Sequence, residues 1–205
     1  MLRKLPIIGV FGAGTPLSAE RVRFARTIGA MVAGIGGHLL TGAGYGVMAA
    51  AAEGFVSAAE RPGLSIGIVP REPGGPFDQP NHDRDGRPYP NPFVEIAIRT
   101  PLPPRVEDWQ ATPARNHVNV LTADAIIALP GGFGTANELD MAAEYRDERA
   151  RPRAERRTIL AGPADEFEPR HRELFVHAGT LGEAEQHLRR VLAARGFALE
   201  LRAAQ

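Results

Sequence analysis

The chain has 205 residues, 43% of them hydrophobic and 23% charged, a size and balance that fit one α/β domain with a sizeable core. Its 24 basic and 24 acidic residues cancel, so nothing in the charge favours nucleic acid or an anionic membrane surface as a partner. The lack of cysteine removes disulfides, thiolate zinc sites and cysteine nucleophiles together, and no run reaches the roughly 18 apolar residues of a membrane span, so a cytoplasmic location is expected.

In chain order, the apolar run 5–11 predicts a first strand, followed by the turn Gly12-Ala13-Gly14-Thr15 and a helix over 19–33 that Ser18 is placed to cap. A short strand over 38–41 leads into Gly42-Ala43-Gly44-Tyr45-Gly46-Val47-Met48 and an alanine-rich helix over 46–59. Residues 64–69 predict a third strand. Strands made of continuous apolar runs, alternating with helices, imply a parallel sheet covered on both faces. The expected fold is a Rossmann-like, doubly wound α/β/α domain spanning 1–205, with right-handed crossovers.

Residues 70–92 break this rhythm, being rich in Pro, Gly, Asp and Asn. A structureless loop of that length is functional or disordered more often than not, and it falls on the ligand side of the sheet, so it reads as either a lid or a plain surface excursion. His82, Asp83 and Asp85 imitate metal ligands, but a loop does not fix their geometry and no metal site is expected. A fourth strand over 93–98, a helical stretch around Val106 and a helix over 114–121 follow, with Pro113 suited to that helix's first turn. Arg115 then sits at the helix start beside the crevice, where a guanidinium can grip phosphate or a ribose hydroxyl through two parallel hydrogen bonds. Asn116, His117 and Asn119 are polar neighbours without a motif, and His117 reads as a satisfied structural histidine.

The apolar run 123–129 enters Pro130-Gly131-Gly132-Phe133-Gly134-Thr135, followed by Glu138. A buried strand that runs into a glycine turn and opens a helix makes an anion site. Glycine lets the backbone approach a bound group closely, the first free N–H groups (led here by Gly134 and Thr135) point at it, and the helix dipole favours negative charge. Glu138, placed on the first helical turn, should reach the same crevice. The bland alternative is a capped helix start, with Thr135 as cap and Glu138 satisfying free donors. Three glycine turns at the carboxyl ends of parallel strands favour one nucleotide-sized site. Its expected binding residues are Gly12, Gly14 and Thr15 after the first strand, Gly42, Gly44, Gly46 and Met48 after the second, and Gly131, Gly132, Gly134 and Thr135 in the last turn. By residue type alone, Arg115 reads more commonly as an exposed helix arginine.

Beyond this turn, the mixed charges of 146–157 read as a solvated face, 157–161 as a strand, and 181–194 as an amphipathic core helix. Trp109, the only tryptophan, reads as buried packing rather than as an anchor for the lid or a wall of the base pocket. A dehydrogenase is disfavoured because the first turn lacks the third glycine of a dinucleotide fingerprint and the second strand ends in Thr41, not an acidic residue. Lysine decarboxylation is disfavoured because the only lysine is Lys4.

Pro130-Gly131-Gly132-Phe133-Gly134-Thr135 with Glu138, Arg115, and the turn from Gly42 to Met48 resemble the LOG family within the LOG-like (SLOG) superfamily, over residues 6–159. That family comprises cytokinin-activating phosphoribohydrolases often mislabelled lysine decarboxylases. The resemblance implies hydrolysis of a nucleoside 5′-monophosphate to free base and ribose 5-phosphate, with Arg115 and Glu138 as the catalytic candidates, no cofactor, no nucleic acid or membrane partner, and a homodimer or higher homo-oligomer. One position departs: family hydrolases carry Arg-Lys ahead of the glycine loop, and here the pair is Arg115-Asn116. That pair looks more like the branch of molybdenum-cofactor carrier proteins, so a non-catalytic carrier or sensor of a nucleotide or phosphorylated cofactor stands as the alternative.

Overall fold

Strands β1 (Ile7–Phe11), β2 (His38–Thr41) and β3 (Ser65–Val69) alternate with helices α1 (Ala19–Ile35) and α2 (Val47–Val56). A short hairpin of β4 (Asn81–His82) and β5 (Pro88–Tyr89) precedes β6 (Ile96–Arg99) and α3 (Arg115–Thr122). The chain continues through β7 (Ala125–Ala128), α4 (Phe133–Tyr145), β8 (Thr158–Ala161), α5 (Pro169–Leu174), β9 (Val176–Ala178) and α6 (Leu181–Ala194). The computed structural model describes residues 4–14, 17–71, 81–83, 85–145 and 148–197.

Seven strands form one sheet in the order β6-β3-β2-β1-β7-β8-β9, and every pairing in it is parallel. The fold is α/β and Rossmann-like. Central strands β1 and β7 carry no polar side chain because both faces are covered. Ile8 and Val10 of β1, and Ala125 and Ile127 of β7, pack into one core with α1, α2 and α6; Phe11, Ile126 and Ala128 point the other way, into a core with Val120 of α3 and Leu139, Met141 and Ala142 of α4. This two-residue alternation between two dry faces turns a continuous apolar run into a buried strand. Ser18 caps α1 by accepting from Arg21 N–H, and Thr180 and Glu183 form a capping box at the start of α6.

The chain lays down β1, β2, β3 and β6 in one direction, then crosses back to place β7 on the other side of β1. That reversal opens a crevice at the carboxyl ends of β1 and β7, the place where open α/β sheets hold ligands.

The structure corrects several local expectations. The fourth strand is shorter and later than 93–98, because Asn91 Oδ1 accepts the Phe93 N–H and folds 91–94 into a turn that seats Val94 against Gly67. No helix forms around Val106, which packs against the α3/α4 core from a loop. The basic stretch before β8 is not simply solvated: Arg153 donates to the carbonyls of Phe175 and Arg172, Arg156 donates to those of Arg151 and Leu174, and Arg157 is buried. Trp109 is buried in an edge-on contact with Tyr145, ring centroids 5.7 Å apart.

Candidate functional site

The turns after β1 and β7 are tied to each other, Ala13 N–H donating to Pro130 O at 3.3 Å, and Ala13 O accepts the first N–H of α2, from Val47, at 2.9 Å. Gly131 has to be glycine at this junction: a Cβ there would come within 2.1 Å of Thr135 Oγ1 and 2.9 Å of Ala13 N. Helix α4 begins at Phe133, and the N–H groups of Thr135 and Ala136 close back on Gly132 O at 3.0 and 3.1 Å. The donors left at the mouth of this helix are therefore those of Phe133 and Gly134, not Gly134 and Thr135. Glu138 lies on the second turn of α4 rather than the first, three residues from Thr135 and on the same face.

The crevice has a volume of about 790 Å³, within the range of small-molecule pockets. It is lined by Gly12 and Gly14 from the turn after β1, Gly44 and Met48 from the turn after β2, Gly132, Gly134, Thr135 and Glu138 from the turn after β7 and α4, and Arg115 and Asn116 from α3. Thr15 lies outside the described residues. Gly42, Gly46 and Gly131 shape these turns without lining the space. A second hollow of about 300 Å³ on the outer face of α1 and α2 is lined by Arg26 and Glu53, which satisfy each other at 2.6 Å, and it gathers no converging groups.

Arg115 and Glu138 are brought together. Both are buried, at 9% and 8% exposure. Arg115 is the first residue of α3, its N–H held by Pro103 O at 2.8 Å; among the described residues its Nη1 reaches only Ile68 O, at 3.5 Å, and its buried Nε has no hydrogen-bond partner. A buried guanidinium this poorly satisfied is set to receive an acceptor from a ligand. Glu138 Oε1 accepts from Asn119 Nδ2 at 2.7 Å. Burial pushes its carboxyl up to about 7, against the opposing pull of Arg115 and the Asn119 hydrogen bond. Asn116 Nδ2 donates to Gly134 O at 3.4 Å and to Asn137 Oδ1 at 3.2 Å, so a neutral amide ties α3 to the mouth of α4. His117 accepts the Ala114 N–H at Nδ1 (3.0 Å) and faces Trp109 O with Nε2 (2.9 Å), which makes it a structural cap with its proton on Nε2.

Tyr89, Arg87 and Arg105 carry no sequence signal. Tyr89 sits beside Arg115 and Glu138, and burial raises its phenol. The hairpin also lines the crevice with His82, Asp83, Asp85 and Arg87, in which Arg87 is paired with both aspartates, at 2.6 and 2.9 Å. Arg105, from the proline-rich stretch before α3, places its guanidinium 5.6 Å over the Phe133 ring at the mouth of α4. The part of the 70–92 loop described here is thus a wall of the crevice; residues 72–80 and 84 lie outside the described residues. No group of three or more His, Cys, Asp or Glu among the described residues could hold a metal ion, and no helix among them is long and apolar enough to cross a membrane.

The chain is 33% identical over 139 residues to an uncharacterised protein of Archaeoglobus fulgidus, covering 68% of this chain and 74% of that protein. It is 30% identical over 139 residues to the cytokinin riboside 5′-monophosphate phosphoribohydrolase of Mycobacterium tuberculosis, covering 64% of this chain and 59% of that enzyme. Among solved structures it is similar to the molybdenum cofactor carrier protein of Chlamydomonas reinhardtii, with a TM-score of 0.66, 25% identity, and coverage of 93% of this chain and 99% of that one. The model of the SLOG cluster4 family matches residues 5–149, the span that carries all three glycine turns, Arg115 and Glu138, and the chain belongs to that family.

Proposed function

We propose that the crevice binds a nucleoside 5′-monophosphate and hydrolyses its N-glycosidic bond. The observation that carries this reading is the buried pair of Glu138 and Arg115 beside the glycine mouth of α4. The phosphate lies at the Phe133 and Gly134 N–H groups with Arg115 and Arg105 nearby, the ribose against Glu138, and the base toward the turn from Gly44 to Met48. As the C1′–N bond breaks, its electron pair leaves with the base, which takes up a proton, and water oxygen bonds to C1′. Positive charge develops on the ribose ring, and the Glu138 carboxylate stabilises it more than it stabilises the ground state. Turnover should therefore rise with pH through about 7, as Glu138 loses its proton. In this reading the protein works in the cytoplasm as a homo-oligomer without a cofactor.

The second reading, a carrier or sensor of a nucleotide or phosphorylated cofactor, is favoured by Asn116. Its amide is spent on Gly134 O and Asn137 Oδ1, and it brings no positive charge where LOG hydrolases carry lysine. Incubating the protein with a panel of nucleoside 5′-monophosphates and separating the products tests both. Release of free base and ribose 5-phosphate, lowered roughly 10²–10³-fold in Glu138→Gln, supports the hydrolase. Retention of intact ligand with no release supports the carrier, and full turnover in Glu138→Gln removes Glu138 from the mechanism.

A further inference from the structure

The hairpin wall of the crevice is built onto one turn of the main chain. Asn91 Nδ2 donates to Ala43 O at 3.1 Å and to Gly44 O at 2.8 Å, and the Asn91 N–H also reaches Ala43 O, at 2.9 Å. The Tyr89 hydroxyl donates to Gly42 O. Three successive carbonyls of the turn after β2 therefore end on two residues of the hairpin segment. The turn is unfavourable alone: Ala43 has φ +62° and is fully buried, a left-handed conformation that persists in a residue with a side chain only where its surroundings over-determine it.

The same turn is the bed of Arg115. A Cβ on Gly42 would come within 1.8 Å of Arg115 Nη1 and 2.8 Å of its Cζ, so the guanidinium lies directly on the Gly42 backbone. Among the described residues its own bonds do little to hold it, since Nη1 reaches Ile68 O only at 3.5 Å and Nε has no partner. Its place is set by what it packs against.

We propose that Tyr89 is a positioning residue: by holding the Gly42 carbonyl it fixes the turn on which the Arg115 guanidinium rests, so that the hairpin as well as α3 sets Arg115 for a phosphorylated ligand. The ligand half of this inference rests on the nucleotide reading; the Tyr89–Gly42–Arg115 relay does not. Tyr89→Phe keeps the ring and deletes the donor. Nitrogen-15 spectra of the arginine side chains, with the Arg115 Nε–H signal identified by its loss in Arg115→Lys, read the relay without any ligand. In the parent that signal should exchange slowly with water because the group is buried, and in Tyr89→Phe it should shift and exchange about tenfold faster or more. Adenosine 5′-monophosphate should bind Tyr89→Phe about tenfold more weakly, the loss expected for one misplaced hydrogen-bonding group. Asn91→Ser, which releases the neighbouring carbonyls and leaves Tyr89 in place, should move the Arg115 signal less, and a larger shift than in Tyr89→Phe would overturn the assignment to Tyr89. An Arg115 signal unmoved in folded Tyr89→Phe overturns the inference whatever the binding data. If the parent binds none of the panel of nucleoside 5′-monophosphates and the signal still moves in Tyr89→Phe, the nucleotide reading falls and the positioning role stands.

Discussion

The turn after β7 and the turn after β2 read alike as sequence: a short apolar strand, glycines, then a helix. They differ in what becomes of their polar backbone. After β7, Gly132 faces open space and, among the described residues, the N–H groups of Phe133 and Gly134 meet no acceptor. After β2, the first N–H of the following helix is taken by Ala13 O, and the carbonyls of residues 42–44 are taken by Tyr89 and Asn91. One glycine turn opens onto the crevice; the other is a seat for a hairpin and an arginine. Glycine creates the close approach in both, and the neighbour that arrives decides its use.

Substitution at matching glycines sharpens this contrast. Gly42→Ala drives a methyl into the Arg115 guanidinium, and because that group is the free end of a side chain it will move rather than unfold the protein. Ligand affinity should fall about 10²-fold, on the order of a lost charge-assisted contact, while the melting transition stays cooperative; calorimetric titration with adenosine 5′-monophosphate reads it.

The smaller effect concerns Glu138, which lines the same crevice. Its carboxyl stands at about 7 in the folded chain against 4.5 for an unperturbed glutamate. A raised acid favours the folded state most when protonated, so its contribution is whole below about pH 4.5, falls as the pH rises toward 7, and is gone above that. Glu138→Gln should flatten this dependence and make the ligand-free protein more stable at pH 8 by about 1–3 kcal/mol, seen in denaturant midpoints from pH 5 to 9. A variant that is more stable and less active is the pattern of a group kept for function. The smallest effect belongs to Gly132→Ala: its Cβ meets no protein atom within 4 Å. Stability should change by no more than ~0.5 kcal/mol, so any loss of phosphate affinity in that variant reports the ligand and not the fold.

Much of this was legible along the chain. The expectations for β2 and α6 agree with the structure residue for residue, and those for β1, β3, β7 and β8 to within a few residues, because apolar runs bounded by turn residues imply buried strands. Glu138 and Arg115 were singled out by a glycine motif and a resemblance, and the fold brings both into one crevice. Short elements were not legible. β9 has three residues and α5 has six, too few for a period to show. Neither were Tyr89 and Arg105, since one tyrosine in a proline-rich loop and one arginine after a run of prolines carry no pattern of their own.

The amino-acid sequence by itself determined the layered α/β domain, the places where strands end in glycine, and the residue types at the crevice, because these follow from local periodicity and backbone freedom that neighbours three or four positions away already specify. Only the tertiary structure decided that one glycine turn faces the open crevice and the other is filled, that Glu138 is buried enough to hold its proton near neutrality, and that Arg115 leans on Gly42 beneath Tyr89. Those outcomes depend on segments about 20 to 70 residues apart arriving at one point, where desolvation and close packing act, and neither acts on a residue until its distant neighbours are in place.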